Sequence, residues 1–248
     1  MATKTSQTAN IRYLKAWDLP TRLFHWINLL TIFILTILGL VMLYKSELGI
    51  SGLAPKIGLK EIHSAVGYIF AINLTLRLIW SFVGSSSAKL TPLYSPLISV
   101  REISHYLKFK DSPPQYLGHN PLGKTMVAVL FILLIVMAGT GLFRAGTDIY
   151  YPPFGSAIQS YLAMPDTLPD QIEPYQDKGV NPEKQASLAP YKKWTGRIHL
   201  WGFWVLMLLM VLHIAGAIHT ECRHQRGVIS AMFSGYKPIE GKAVDEDR

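Results

Sequence analysis

The sequence predicts an all-α membrane protein, a four-helix transmembrane bundle with a long ordered or partly ordered loop between its third and fourth helices. Two observations carry this. Half of the 248 residues are apolar and only 16% are charged, against roughly 25% charged in soluble domains. The shortfall is concentrated in four windows, 23–44, 62–83, 125–143 and 198–220, that hold almost no charge. Each is near the roughly 20 residues that cross a hydrocarbon core. Lipid offers the backbone no hydrogen-bond partner, so these windows must be helical. The chain reads as one domain, 1–248, with helices at about 22–44, 61–83, 121–143 and 197–220 and an extended outer-side loop at 144–196.

The elements follow in chain order. The first twenty residues hold no short apolar core before a small-residue cleavage site, so the first helix itself is expected to direct insertion. In the second window Arg77 interrupts the run, with fifteen uncharged residues before it and six after. It stands close enough to one end to reach the interface by its long stem. The 84–120 connection places Pro92, Pro96, Pro113 and Pro114 around a stretch, 97–107, that suits an amphipathic helix lying on the membrane surface. His105 in that stretch reads as a surface residue. Gly118-His119-Asn120-Pro121 has the form of a helix start, Asn120 capping and Pro121 at the first helical position, with His119 in the preceding turn. Between the third and fourth helices, Pro152, Pro153, Pro165, Pro169, Pro174, Pro182 and Pro190 alternate with aromatic and acidic residues. Loops of that length are functional or disordered as a rule. The aromatic content predicts partial order, as a lid or a docking surface.

The formal charge of +8 does not point to nucleic acid, because the basic residues cluster at the ends of apolar runs. That placement sets topology and meets anionic lipid headgroups. Thirteen Lys and Arg flank the spans on the side of the termini and nine on the other, which predicts both termini in the cytoplasm. The single cysteine, Cys222, excludes an internal disulfide, a cysteine-held iron–sulfur cluster and the paired-thioether attachment of a c-type haem.

Of the eight histidines, His25, His63, His199 and His213 fall within or at the ends of the apolar windows. Any one alone could be a hydrogen-bonded polar residue of the bundle, yet ionisable residues in membranes are costly and usually functional. Their spacing favours function. His199 and His213 are fourteen residues apart, just under four turns, so they share a face about 21 Å apart along the axis. With alternating helix directions, His25 matches the level of His213 and His63 that of His199. Two cross-helix pairs at two depths suit two bis-histidine haems. Gly39 lies fourteen residues after His25, Gly67 one turn after His63, and Gly202 and Gly216 beside the ligands of the fourth helix. Glycine leaves room on a helix for a flat macrocycle. Arg77, fourteen residues after His63, faces the inner level, where it either pairs with a haem propionate or simply snorkels. A zinc site would instead gather three or four ligands at one point, which disfavours a histidine-based metal or proton transporter. His219 and His224, near Glu221, read as solvated.

Trp17-Asp18-x-Pro20-x-Arg22-x-x-His25-Trp26 resembles the prokaryotic cytochrome b561 family, which includes the b-type cytochrome subunits of nickel–iron hydrogenases. Further matching elements are His63-x-x-x-Gly67-Tyr68, Arg77-x-x-Trp80, Gly118-His119-Asn120-Pro121-Leu122-Gly123, His199, His213 and the tail from Ile229 to Tyr236. The resemblance implies a four-helix bundle in the bacterial inner membrane, with two haem b on His25, His63, His199 and His213. It also implies exchange of electrons between quinone and a partner, such as a c-type cytochrome or a dehydrogenase or hydrogenase subunit. Two functions stay open: a cytochrome linking the quinone pool to an outer-side redox partner, and a haem-containing anchor and relay subunit of a hydrogenase or dehydrogenase complex. A quinone slot would be near Trp17, Arg22 and Trp80, or near Trp194 and Arg197. A homo-oligomer is compatible with either function.

Overall fold

A computed structural model describes residues 11–89, 100–108 and 114–246. It contains β1 (Ile11–Lys15), α1 (Leu19–Leu43), α2 (Leu53–Val83), α3 (Val100–Lys108), α4 (Pro121–Asp148), α5 (Gly155–Leu162), α6 (Pro182–Arg223), α7 (Ala231–Ser234) and β2 (Tyr236–Glu240). The helices α1, α2, α4 and α6 are long and apolar enough to cross a membrane. The four-helix transmembrane architecture expected from composition is therefore present.

The spans are longer than the apolar windows. Helix α2 begins at Leu53 rather than 61, α4 continues to Asp148 rather than 143, and α6 begins at Pro182 rather than 197. Apolarity marks where a helix meets lipid; caps mark where it ends. Asp18 Oδ1 accepts from the Thr21 amide (2.9 Å) and starts α1. Asn120 Oδ1 accepts from the Gly123 amide (2.7 Å), as the Asn-Pro signature predicted. Asn181 Oδ1 accepts from the amides of Glu183 (3.0 Å) and Lys184 (3.2 Å), with Pro182 at the first helical position. The first part of the expected 97–107 helix, 97–99, lies outside the described residues, as do Pro92, Pro96 and Pro113.

The described chain divides into two compact units. One comprises Met1–His25, Leu76–Phe131 and Leu208–Arg248 within the described residues. In it β1 and β2 pair antiparallel, Ile11 opposite Glu240 and Lys15 opposite Tyr236, joining the two ends of the chain. The amides of Ala16 (2.8 Å) and Trp17 (3.1 Å) donate to the carbonyl of Gly235, which sits at φ +86. A Cβ on Gly235 would come within 2.8 Å of the Trp17 carbonyl, so glycine is required by both conformation and space. Asp18 ties the start of α1 to the end of α2: its Oδ2 accepts from Trp80 Nε1 (3.0 Å) and Ser85 Oγ (2.6 Å).

The other unit comprises Trp26–Thr75 and Ile132–Met207. Asn73 Nδ2 donates to Asn28 Oδ1 (2.7 Å) between α2 and α1, the polar linkage that membrane helices use where burial alone drives nothing. The segment after α4 is ordered, as its aromatic content predicted. Leu162, Ile172 and Val180 form a small buried core, with Tyr150, Ile158 and Leu188 against it. The Asn181 amide donates to the Leu162 carbonyl (2.8 Å) and Gln159 Nε2 to that of Ile172 (3.1 Å).

Candidate functional site

Each unit contains one of the expected histidine pairs. In the second-described unit, His63 on α2 and His199 on α6 have ring centroids 6.3 Å apart and planes inclined at 74°. A metal bound to two imidazoles at the ~2.0–2.1 Å typical of metal–nitrogen bonds would hold the ring centroids about 6 Å apart. The observed spacing fits an axial pair.

The third span completes this site. Thr140 Oγ1 lies 2.9 Å from His199 Nδ1 and also donates to the carbonyl of Val136 (2.7 Å), so the hydroxyl fixes the orientation of the ring. With Nδ1 engaged, Nε2 is the nitrogen left to meet a metal, the arrangement that orients metal-bound histidines generally. A Cβ on Gly141 would press to 3.3 Å from His199 Cε1, and one on Gly39 would lie 4.0 Å from His63 Cε1. These two glycines leave the imidazole flanks clear. His63 Nδ1 is buried without a hydrogen-bond partner, a costly state for a histidine with no other role.

Gly39 thus stands beside His63, as the fourteen-residue spacing predicted. Gly202 is buried against α4, where a Cβ would come within 2.7 Å of Met137 Sδ. Its missing side chain is used for helix contact, because residue 202 points toward α4 three residues on from His199. No neighbour lies within 4 Å of a Cβ built on Gly67 or Gly216.

In the first-described unit, His25 on α1 and His213 on α6 are within Coulombic range of each other. Arg77 is 7% exposed. Its Nη2 donates to the Ala88 carbonyl (2.9 Å) and its guanidinium lies 5.6 Å from the Phe131 ring centroid. His119, expected merely in a turn, belongs to this site. Its ring packs against buried Trp17, centroids 4.8 Å apart and planes tilted by 50°. Burial, with Lys237, His213, Lys124 and Arg77 nearby, pushes its imidazole down to about 3. Lys237 is 3% exposed and donates to the carbonyls of Tyr116 (3.0 Å) and Gly118 (2.9 Å). Burial lowers its ammonium to about 8 against the opposing pull of Asp245 and Glu221.

Sequence reasoning missed Thr140 and Gly141. A threonine and a glycine in an apolar span carry no mark of their own, whereas His119 stands in the turn before the Asn-Pro start, where it was expected. His105 is exposed and His219 is exposed, as expected. His224 is instead half-buried, its ring edge-on to His219 at 4.9 Å, because Glu221 accepts from the amides of Gly227 and Ile229 and folds the following turn back. Of the two quinone candidates, the Trp17, Arg22 and Trp80 group holds the fold together: Arg22 donates to the Phe233 carbonyl and Trp80 to Asp18. Trp194 is exposed, with Arg197 5.7 Å above its ring.

The chain is 28% identical over 235 residues to a probable Ni/Fe-hydrogenase B-type cytochrome subunit of Rhizobium leguminosarum bv. viciae, covering 88% of this chain and 86% of the relative. The similarly described protein of Rhodobacter capsulatus is 23% identical, over 92% and 83%. The probable Ni/Fe-hydrogenase 1 B-type cytochrome subunit of Escherichia coli (strain K12) is 23% identical over 94% of each chain. No solved structure matches the chain. The model of the prokaryotic cytochrome b561 family matches residues 16–235, and the chain belongs to that family.

Proposed function

We propose that this chain is the haem-containing membrane anchor and electron-relay subunit of a hydrogenase or related dehydrogenase complex. Two b haems would be held by His25 with His213 and by His63 with His199, with quinone as the membrane-side reactant. The observation that carries the reading is the 6.3 Å spacing of the His63 and His199 rings, oriented by Thr140. The description of the relatives as hydrogenase cytochrome subunits favours the anchor-and-relay role over a free-standing link to an outer carrier. Both termini would face the cytoplasm of the bacterial inner membrane.

A bound haem b supplies reversible one-electron chemistry at its iron, and the protein supplies the rest. Thr140 keeps His199 in one tautomer and one orientation. Gly39 and Gly141 keep side chains away from the imidazoles. Arg77, in the first-described unit, supplies a buried cation suited to a propionate. A haem held by two histidines would leave no open coordination position for oxygen or substrate.

The test is a dithionite-reduced minus oxidised spectrum of the purified protein with haem quantified per chain, followed by reduction in native membranes under hydrogen. Two low-spin b haems per chain, reduced by hydrogen, are expected. Haem reduced by another donor but not by hydrogen would move the partner to a different dehydrogenase. A preparation without haem would overturn the assignment.

A further inference from the structure

Around the His63 and His199 pair lies a charge imbalance that the histidines do not explain. Three cations converge on one carboxylate, that of Asp148, which is 7% exposed. Lys60 on α2 pairs with Asp148 Oδ2, Arg144 Nη2 lies 2.6 Å from the same oxygen, and Lys192 Nζ lies 3.4 Å from Oδ1. Three positive groups on one acid leave two charges in excess. Partly buried charge of one sign calls for a counter-charge.

The cluster stands beside both histidines. Lys60 is one turn before His63 on the same face of α2. Arg144 is one turn beyond Gly141, which abuts His199, and a Cβ on Gly196 would come within 2.8 Å of Arg144 Nη1. Glycine at 196, one turn before His199, lets the guanidinium lie against the α6 backbone. Lys192 is two turns before His199, where it donates to the Thr147 carbonyl (2.9 Å) while Arg144 donates to that of Lys192 (3.2 Å). Lys60 is within Coulombic range of His63 on its own helix, and Arg144 of His199 on α6. Haem b carries two propionates, and their combined charge equals the excess.

We propose that Lys60, Arg144 and Lys192 bind the propionate carboxylates of the haem held by His63 and His199, with Asp148 gathering the three cations into one site. This rests on the assignment of those histidines as axial ligands. Arg144 offers a planar fork matched to a carboxylate, and the two lysines act as point charges. Asp148 keeps the cations from repelling one another before the cofactor arrives.

The test measures the rate at which each b haem leaves the full-length holoprotein for excess apomyoglobin. The His63/His199 haem is identified as the one missing from His199→Ala. The Arg144→Gln/Lys192→Gln variant is expected to lose that haem at least about tenfold faster than wild type and the other at an unchanged rate, with Arg144→Lys between. His213→Ala protein stripped of haem, which keeps only the His63/His199 site, should bind haemin at least about tenfold more tightly than haemin dimethyl ester, which decides the matter even if the double variant does not fold. If His199→Ala loses one haem but neither the variant rate nor the ester affinity changes, the propionate site is wrong and the axial assignment stands. If His199→Ala keeps both haems, the axial assignment itself fails and the proposal with it.

Discussion

The two units treat the same residue pair differently. In the Trp26–Thr75 and Ile132–Met207 unit, the pair is backed by a hydroxyl, two glycines and a cation cluster carrying its own carboxylate. In the other unit, His213 lies within Coulombic range of His119, as do Arg77 and Lys237, which donate to backbone carbonyls. Asp18, a buried carboxylate of that unit, holds helix ends together instead. On the proposed assignment, one unit separates holding a cofactor from holding the fold, while the other mixes them. Substitutions in the first kind should affect a haem selectively, and in the second kind should affect stability as well.

The sharpest way to break this contrast is to remove one ligand from each. His199→Ala should abolish one haem and leave the second spectrally intact, while His213→Ala should abolish the other, as read by haem per chain and reduced-minus-oxidised spectra. Loss of both haems from His199→Ala would show that the units are not independent. A step down in size, Thr140→Val keeps shape but removes the hydroxyl from His199; loss of such a supporting hydrogen bond costs roughly 10–100-fold in metal affinity or activity. Haem retention and midpoint potential should change for that site alone.

Asp18→Asn addresses the other unit. Its carboxylate accepts from Thr21, Trp80 and Ser85, and hydrogen bonds to a charged group contribute about 1.5–3 kcal/mol each. An amide keeps part of that set, so a loss of about 2 kcal/mol is expected, seen as a lower Tm with the His63/His199 haem spectrum unchanged. The smallest effect is on acid tolerance. Burial alone would raise the Asp18 carboxyl, but its hydrogen bonds outweigh this and hold it at about 2, below the ordinary 3.8. Its stabilisation is therefore complete above 3.8 and lost as pH falls through about 2. Wild type should lose Tm across that interval more steeply than Asp18→Asn; parallel curves would remove Asp18 from the account.

How much of this was legible in the sequence depended on range. The apolar windows located four spans because lipid burial is written residue by residue. Helix ends depend on caps, and Asn181-Pro182 carried the same signal as Asn120-Pro121 but lay in a proline-rich segment that masked it. The histidine levels followed from helical periodicity. Thr140 and Gly141 did not, because facing His199 is a property of how α4 packs on α6. The pairing of Ile11–Lys15 with Tyr236–Glu240 was equally hidden: each strand is five residues long, and nothing local in either names its partner.

That pairing also orders events in time. A ribosome has made all of residues 26–75 and 132–207 before it reaches the stretch that carries His213 and β2. The His63 and His199 unit has its full complement of residues first. The unit bearing His25 waits with its first strand unmatched until residue 240 has left the tunnel. Biogenesis is therefore sequential by construction, and a chain stalled near its end would carry one finished half and one that has yet to close.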